Sequence, residues 1–272
     1  MLGFEYARGV LCFVRLARRP AAALAIPWVV LVGAAAPVQS ARPISLSYPY
    51  LTGTEAGIGS IKALAEQVSQ SYVHVVILYP GDPDNDDPPG ILQQASGIIV
   101  DAKGHVITAA HIAQTSKNKA RIVSRNGSEH AGRILFIDPK HDLALLKIEP
   151  FAGMKPARLA TKSEPKRRDF AIAVGSPSRG RGAVSFGFVR IPKLKERLAY
   201  NRWGITDAIE ISMEVESGHS GGPVFNRAGE LIGMVAGYEL GDTTRRPYIS
   251  PRITYAIPIT GLREFLKRSL GR

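Results

Sequence analysis

From Tyr72 onward the chain is a succession of short apolar runs separated by turn residues. Tyr72–Tyr79 is followed by runs at 97–100, 105–108, 120–124, 132–137 and Leu143–Ile148. A second series lies at 169–174, 183–190, 209–215, 224–225, 231–236 and 253–257, with 151–165 as a connector between the two. Short runs at such intervals, rich in β-branched residues and punctuated by Gly, Asn, Asp and Pro, argue for a β-barrel or a β-sandwich. Helical spacing occurs twice. Ile61, Leu64, Ala65 and Val68 predict a helix over 61–71, and Leu262, Phe265 and Leu266 share a face of a short helix over 261–270 that Thr260 can cap.

At 272 residues the chain can bury a substantial core, and cysteine usage limits what holds it together. The single cysteine, Cys12, excludes an internal disulfide and any paired-thiolate metal site. Cys12 also falls in a segment that reads as a leader to be removed. Arg8, Arg15, Arg18 and Arg19 precede or open an apolar stretch from Ala21 to Ala36, and small residues near positions 40 and 41 suit cleavage. The apolar stretch is short for a membrane span, so membrane contact is expected only through this leader, if it is left uncleaved. Net charge is +12, or +9 once the first 41 residues with their four Arg and one Glu are set aside. The basic residues are scattered through expected loops without interleaved aromatics, and nucleic acid is not an expected partner.

The chemistry concentrates in Ser217-Gly218-His219-Ser220-Gly221-Gly222-Pro223. Glycines on both sides of Ser220 permit tight, positive-φ backbone, so a hydroxyl can stand clear while neighbouring N–H groups converge beside it. The same residues fit G-x-S-x-G, the nucleophile elbow of α/β-hydrolases, but that fold needs its histidine after the serine and a helix directly following it. No histidine lies beyond His219, and the following residues read as strand, turn, strand. A histidine and an aspartate lie upstream instead. Thr108-Ala109-Ala110-His111 ends one apolar run and His141-Asp142 opens another, 31 residues later, with 78 more from Asp142 to Ser220. A serine hydroxyl needs a base to accept its proton, imidazole titrates in the useful range, and a carboxylate fixes its tautomer. Ser220 is therefore read as nucleophile, His111 as general base and Asp142 as the orienting acid. The acidic cluster at 81–90 hints at calcium, but counted from Asp82 it lacks the sixth-position glycine and has Gln93 where a bidentate glutamate belongs. No metal or cofactor is expected, and His74, His105, His130 and His141 show no paired ligand spacing.

With Ser-Gly-His-Ser-Gly-Gly-Pro, Thr-Ala-Ala-His and the order histidine, aspartate, serine in place, the chain resembles trypsin-like serine proteases of the bacterial Deg/HtrA type over roughly residues 58 to 268. The resemblance implies an all-β, chymotrypsin-like fold of two antiparallel β-barrels with a short N-terminal and a C-terminal helix, the active site lying in the cleft between barrels. The expected organisation is a leader at 1–41, an arm at 42–57, a first barrel with the histidine and aspartate at 58–155, and a second with the serine and the C-terminal helix at 156–272. It implies an oxyanion hole on the backbone N–H groups of Gly218 and Ser220. His219, between them, departs from the Asn usual in those relatives and the Asp usual in trypsins, and receives no catalytic role. Six residues before the nucleophile, at the floor of the primary specificity pocket in trypsin-like enzymes, stands Glu214; a carboxylate there favours Lys or Arg before the scissile bond. Many relatives continue into PDZ modules, which the sequence ending at Arg272 does not include, and their N-terminal arm helps build a trimer, which makes a homotrimer a candidate assembly with Tyr48 and Tyr50 as contacts.

The expected function is an exported, periplasmic or secreted serine endopeptidase acting on proteins or peptides, with envelope protein quality control as one setting. Two alternatives stay open: a client-binding, chaperone-like scaffold with little turnover, and an esterase using the same acyl chemistry.

Overall fold

The computed structural model describes residues 55–81, 89–161, 164–177, 182–200, 202–239 and 253–271. The expected leader, most of the expected arm with Tyr48 and Tyr50, and nearly all of the acidic cluster at 81–90 lie outside them. Helix α1 (Glu55–Val68) continues into a 3-10 turn, Ser69–Ser71, and delivers the chain to strand β1 (Tyr72–Tyr79). It starts earlier than its apolar spacing announces. The first barrel adds β2 (Gly90–Ile99), β3 (His105–Ala109), a single helical turn α2 (Ala110–Ala113), β4 (Lys119–Val123), β5 (Glu129–Asp138) and β6 (Leu143–Ile148). The second contains β7 (Phe170–Gly175), β8 (Ala183–Ile191), β11 (Ile209–Ser212), β12 (Pro223–Phe225), β13 (Leu231–Glu239) and β14 (Ile253–Pro258). Between β8 and β11 stands a small hairpin, β9 (Leu198–Tyr200) and β10 (Trp203–Ile205). Helix α3 (Ile259–Leu270) ends the described chain.

Each barrel closes on itself with antiparallel pairing throughout, in the orders β1-β2-β3-β6-β5-β4 and β11-β14-β13-β12-β7-β8. The all-β, two-barrel expectation with a helix near each end of the described chain is therefore what the chain forms. Closure removes the exposed edges that a sheet of this size otherwise presents. The shift of register between Ile134 and Phe136 on β5, and those at three other pairs of strands in the second barrel, let these short strands coil around a closed wall.

Burial follows position in the barrels. Strand β3 is buried on both faces, whereas β5 alternates towards solvent along its first half. One continuous apolar cluster includes Ile107, Leu145 and Ile148 of the first barrel together with Phe225, Met234 and Phe265 of the second barrel and its helix. The connector runs between them as extended chain: Ala157 donates its N–H to Ile99 and Leu159 bridges to Leu231.

Helix α3 differs from its expected start. Pro258, still paired with Gly233 in β14, is the N-cap, with no side-chain cap bond, and Thr260 lies inside the first turn. The strand runs straight into the helix, leaving no loop in which Thr260 could cap. Among the described residues, no helix is long and apolar enough to cross a membrane.

Candidate active site

Strand β3 pairs with β6 in the register Ala109↔Leu143. One step further along each strand the chain therefore sets Ala110 beside Asp142, and the Ala110 N–H donates to the Asp142 carbonyl at 3.1 Å. Ala109 and Ala110 are both fully buried, and the absence of larger side chains lets β3 turn directly into α2 against the start of β6. That turn presents His111 to the Asp142 carboxylate. Its backbone N–H donates to Oδ1 at 2.9 Å, and its ring Nδ1 lies 2.9 Å from Oδ2 and 3.1 Å from Oδ1. Asp142 is completely buried, while the His111 side chain keeps 19% of its surface. Asp142 also has φ 53°, a left-handed conformation that aspartate tolerates better than most residues. With Nδ1–H bound to the carboxylate, the imidazole is held in the tautomer whose basic nitrogen is Nε2.

Ser220 arrives from the other barrel, on the loop between β11 and β12. Its carbonyl accepts the N–H of Ser96 on β2 at 3.0 Å. Ser96 in turn accepts the Thr108 hydroxyl at its own carbonyl, 2.7 Å away, three residues before His111. The next residue, Gly221 (φ 81°), lies so close to this wall that a Cβ would run into the Ser96 carbonyl and the Thr108 hydroxyl. Glycine is required there by both its φ and the close approach. Ser220 is thus seated on the same β2–β3 wall that leads into His111.

The loop uses its N–H groups selectively. His219 donates to Glu216 at 3.1 Å, Gly221 to Val235 at 2.8 Å and Gly222 to His219 at 2.8 Å. The N–H groups of Gly218 and Ser220 meet no carbonyl or side-chain acceptor among the described residues. Gly218 has φ 98° and packs so tightly against the Ser176 carbonyl that no side chain fits. Two donors two residues apart and uncommitted to the fold are what an oxyanion requires.

His219 is only 2% exposed. Its ring packs on Gly175, its Nδ1 lies against the Glu216 backbone, and its Nε2 meets no partner among the described residues. Burial, the largest influence, holds its pKa below the ordinary imidazole value, against smaller opposing pulls from the backbone and carboxylate of Glu216. Glu214 is exposed between buried Met213 and Val215, on the segment leading from β11 into the loop.

Four further residues reach the site without any sequence signature. Ser176, just past β7, lies 2.8 Å by its hydroxyl from His74 Nδ1, shares a short contact with the Tyr72 hydroxyl, and donates its N–H to Ser96 Oγ at 3.0 Å. Ser96 Oγ donates to the Gly218 carbonyl at 2.7 Å. These polar residues carry no sign of a shared site until the two barrels are brought together. Among the described residues no group of three or more His, Cys, Asp or Glu side chains is placed to hold a metal ion.

Residues 95–234, half of the chain, match the trypsin-like peptidase domain family. Among curated proteins, the rat serine protease HTR4 is 30% identical over 206 residues, covering 76% of this chain and 40% of the rat protein. The mouse serine protease HTRA4 is also 30% identical, over 76% of this chain and 40% of its own length. The Xenopus tropicalis serine protease HTRA1 is 32% identical over 65% of this chain and 36% of its own. The chain thus spans about 40% of the length of the first two relatives. The matched region carries His111, Asp142 and Ser220 on the two closed barrels described above, and the chain belongs to the trypsin-like peptidase family, with homology to the HtrA serine proteases.

Proposed function

We propose that the chain is a serine endopeptidase in which Ser220 is the nucleophile, His111 the general base and Asp142 the residue that orients it. The observation that carries this reading is the His111 ring bound through Nδ1 to a fully buried carboxylate, beside a serine loop docked on the same wall. Ser220 Oγ attacks the scissile carbonyl while His111 Nε2 takes the hydroxyl proton, and Asp142 stabilises the resulting imidazolium. The oxyanion of the tetrahedral intermediate receives the N–H groups of Gly218 and Ser220, each worth about 3 kcal/mol of transition-state stabilisation. His111 then protonates the leaving amine, leaving an acyl-enzyme on Ser220 that water hydrolyses by the same steps.

Glu214 is the specificity element in this reading, and peptides with Arg or Lys before the scissile bond are the preferred substrates. The leader at 1–41 supports export to the periplasm or beyond, where quality control of envelope proteins is the setting that suits a general endopeptidase. A homotrimer is the assembly suggested by the arm at 42–57.

The test is labelling of the purified mature chain with a fluorophosphonate probe, beside Ser220→Ala, together with casein digestion. Wild type alone is expected to be labelled and to digest casein. Labelling without digestion of any peptide would turn the reading towards an esterase, and a folded wild type that resists the probe would favour the client-binding scaffold. A peptide pair with Arg or Val before the scissile bond checks Glu214; equal rates would remove it from specificity.

A further inference from the structure

The two oxyanion donors sit on backbone that glycine leaves free to turn over. Gly218 has no side chain to restrict rotation at φ 98°, and a rotation about its flanking bonds would swing an N–H out of the hole. Bonds from within the loop and from the opposite barrel hold the peptide planes in place.

A peptide unit is planar, so fixing its carbonyl at one end and its N–H at the other fixes the whole plane. The plane joining Gly218 and His219 is held in this way: its carbonyl accepts Ser96 Oγ at 2.7 Å and its N–H donates to Glu216. The plane joining Ser220 and Gly221 is held likewise, its carbonyl by the Ser96 N–H at 3.0 Å and its N–H by Val235 at 2.8 Å. Between these two clamped planes lies the one that carries the Ser220 N–H. One residue of the first barrel, Ser96, supplies an outer bond to both clamps.

Ser96 is itself immobile. It is fully buried, its carbonyl accepts the Thr108 hydroxyl, and its Oγ accepts the Ser176 N–H at 3.0 Å. A Cβ added at Gly222 would crowd the Ser96 Cβ, so the serine loop passes close beside this side chain. Among the described residues the Gly218 carbonyl has one other donor, the Ser176 N–H at the longer distance of 3.3 Å. We infer that Ser96 is a positioning residue for catalysis: through its hydroxyl and N–H, the barrel that carries His111 sets the orientation of the Ser220 N–H, the oxyanion donor on the plane between the two clamps. The inference rests on the endopeptidase reading above.

The experiment compares wild type, Ser96→Ala and Ser220→Ala on a fluorogenic peptide that wild type cleaves, with enzyme concentration set by active-site titration. A peptidyl boronate reports affinity for a tetrahedral adduct, and the cleaved product reports affinity for the ground state. Removing the hydroxyl leaves Gly218 with only its longer bond. The expected result for Ser96→Ala is a kcat about tenfold lower, with KM within about twofold, and boronate affinity falling in step while product affinity holds. A purely structural role would lower the melting temperature and the titrated fraction but leave kcat and boronate affinity of the titrated enzyme unchanged, and that outcome overturns the inference. Should Ser96→Ala not fold, Ser96→Cys, close in volume and a weaker donor, carries the same two readings with a smaller loss expected. Ser220→Ala separates the two levels: full hydrolysis by that variant would overturn the endopeptidase reading itself, whereas an inactive Ser220→Ala beside an unimpaired Ser96→Ala would overturn the positioning role alone.

Discussion

His219 lies between Gly218 and Ser220 with its ring buried and its Nε2 unmatched among the described residues. An imidazolium there would have to be desolvated without a partner for its second N–H, and Gly175 leaves no space beside the ring. Because the folded pKa is depressed below the ordinary value of 6.5, the unfolded chain binds a proton first as pH falls. The stabilisation from burying a neutral ring is complete above that value and is lost as pH drops through the folded pKa. The nearest charge, on Glu216, opposes this only in part. Wild type is therefore expected to lose more melting temperature between about pH 7.5 and pH 5 than His219→Asn does, since the amide does not titrate. Equal losses would assign the acid sensitivity to other groups. His111, Asp142 and Ser220 could be proposed from the sequence, because each sits in a local context whose chemistry is readable on its own. Ser96, Ser176 and His74 were illegible for the opposite reason: each acquires its meaning from a residue about a hundred positions away.

At the scale of elements, the turn from β5 to β6 is closed just before Asp142 by the Asp138 carboxylate. Asp138 accepts the N–H groups of Lys140 and His141 on Oδ1, at 3.1 and 3.3 Å, and the His141 ring and Arg268 on Oδ2, each at 2.7 Å. Burial alone would raise the Asp138 pKa, but the bonds from His141 and Arg268 outweigh it and the net shift is downward. Its stabilising share is thus present at neutral pH and fades as pH falls through that lowered value. Asp138→Ala is expected to lower stability by about 2 to 3 kcal/mol in urea unfolding, because several donors around a buried carboxylate lose their acceptor together. Arg268→Ala removes only the bond from α3, and half of the arginine side chain is in solvent, so its loss should stay within about 1 kcal/mol. Equal losses would mean that α3, rather than the turn itself, holds Asp138. Two elements here escaped sequence reading for definable reasons. The β9–β10 hairpin consists of three-residue strands among charged residues, too short to show a period. The start of α3 is set by Pro258 finishing its pairing in β14, a tertiary fact that Thr260 cannot announce.

For the whole molecule, the question is whether two closed barrels behave as two units or one. Their closure is separate, yet the proposed catalytic arrangement draws on both. Ser96 holds the serine loop, Asp138 bonds Arg268 of α3, and Arg202 of the β9–β10 hairpin donates to the Gln114 carbonyl at the end of α2 at 3.0 Å. The apolar cluster crosses the same boundary. Phe265 on α3 is fully buried and meets Phe136 of the first barrel with ring centroids 5.8 Å apart. Since the chain's one cysteine cannot form an internal disulfide, this shared burial must hold the barrels together without covalent help. Truncating Phe265 to alanine removes apolar contact from both barrels and should destabilise the protein by about 3 to 5 kcal/mol. The informative readout is the shape of the transition. If the barrels form one cooperative unit, peptide hydrolysis and far-ultraviolet dichroism are lost at the same urea concentration in wild type, and both midpoints move down together in Phe265→Ala. If activity disappears first while half the strand signal survives, the barrels unfold in sequence, and the bonds between Ser96 and the oxyanion loop are the first tertiary contacts to go.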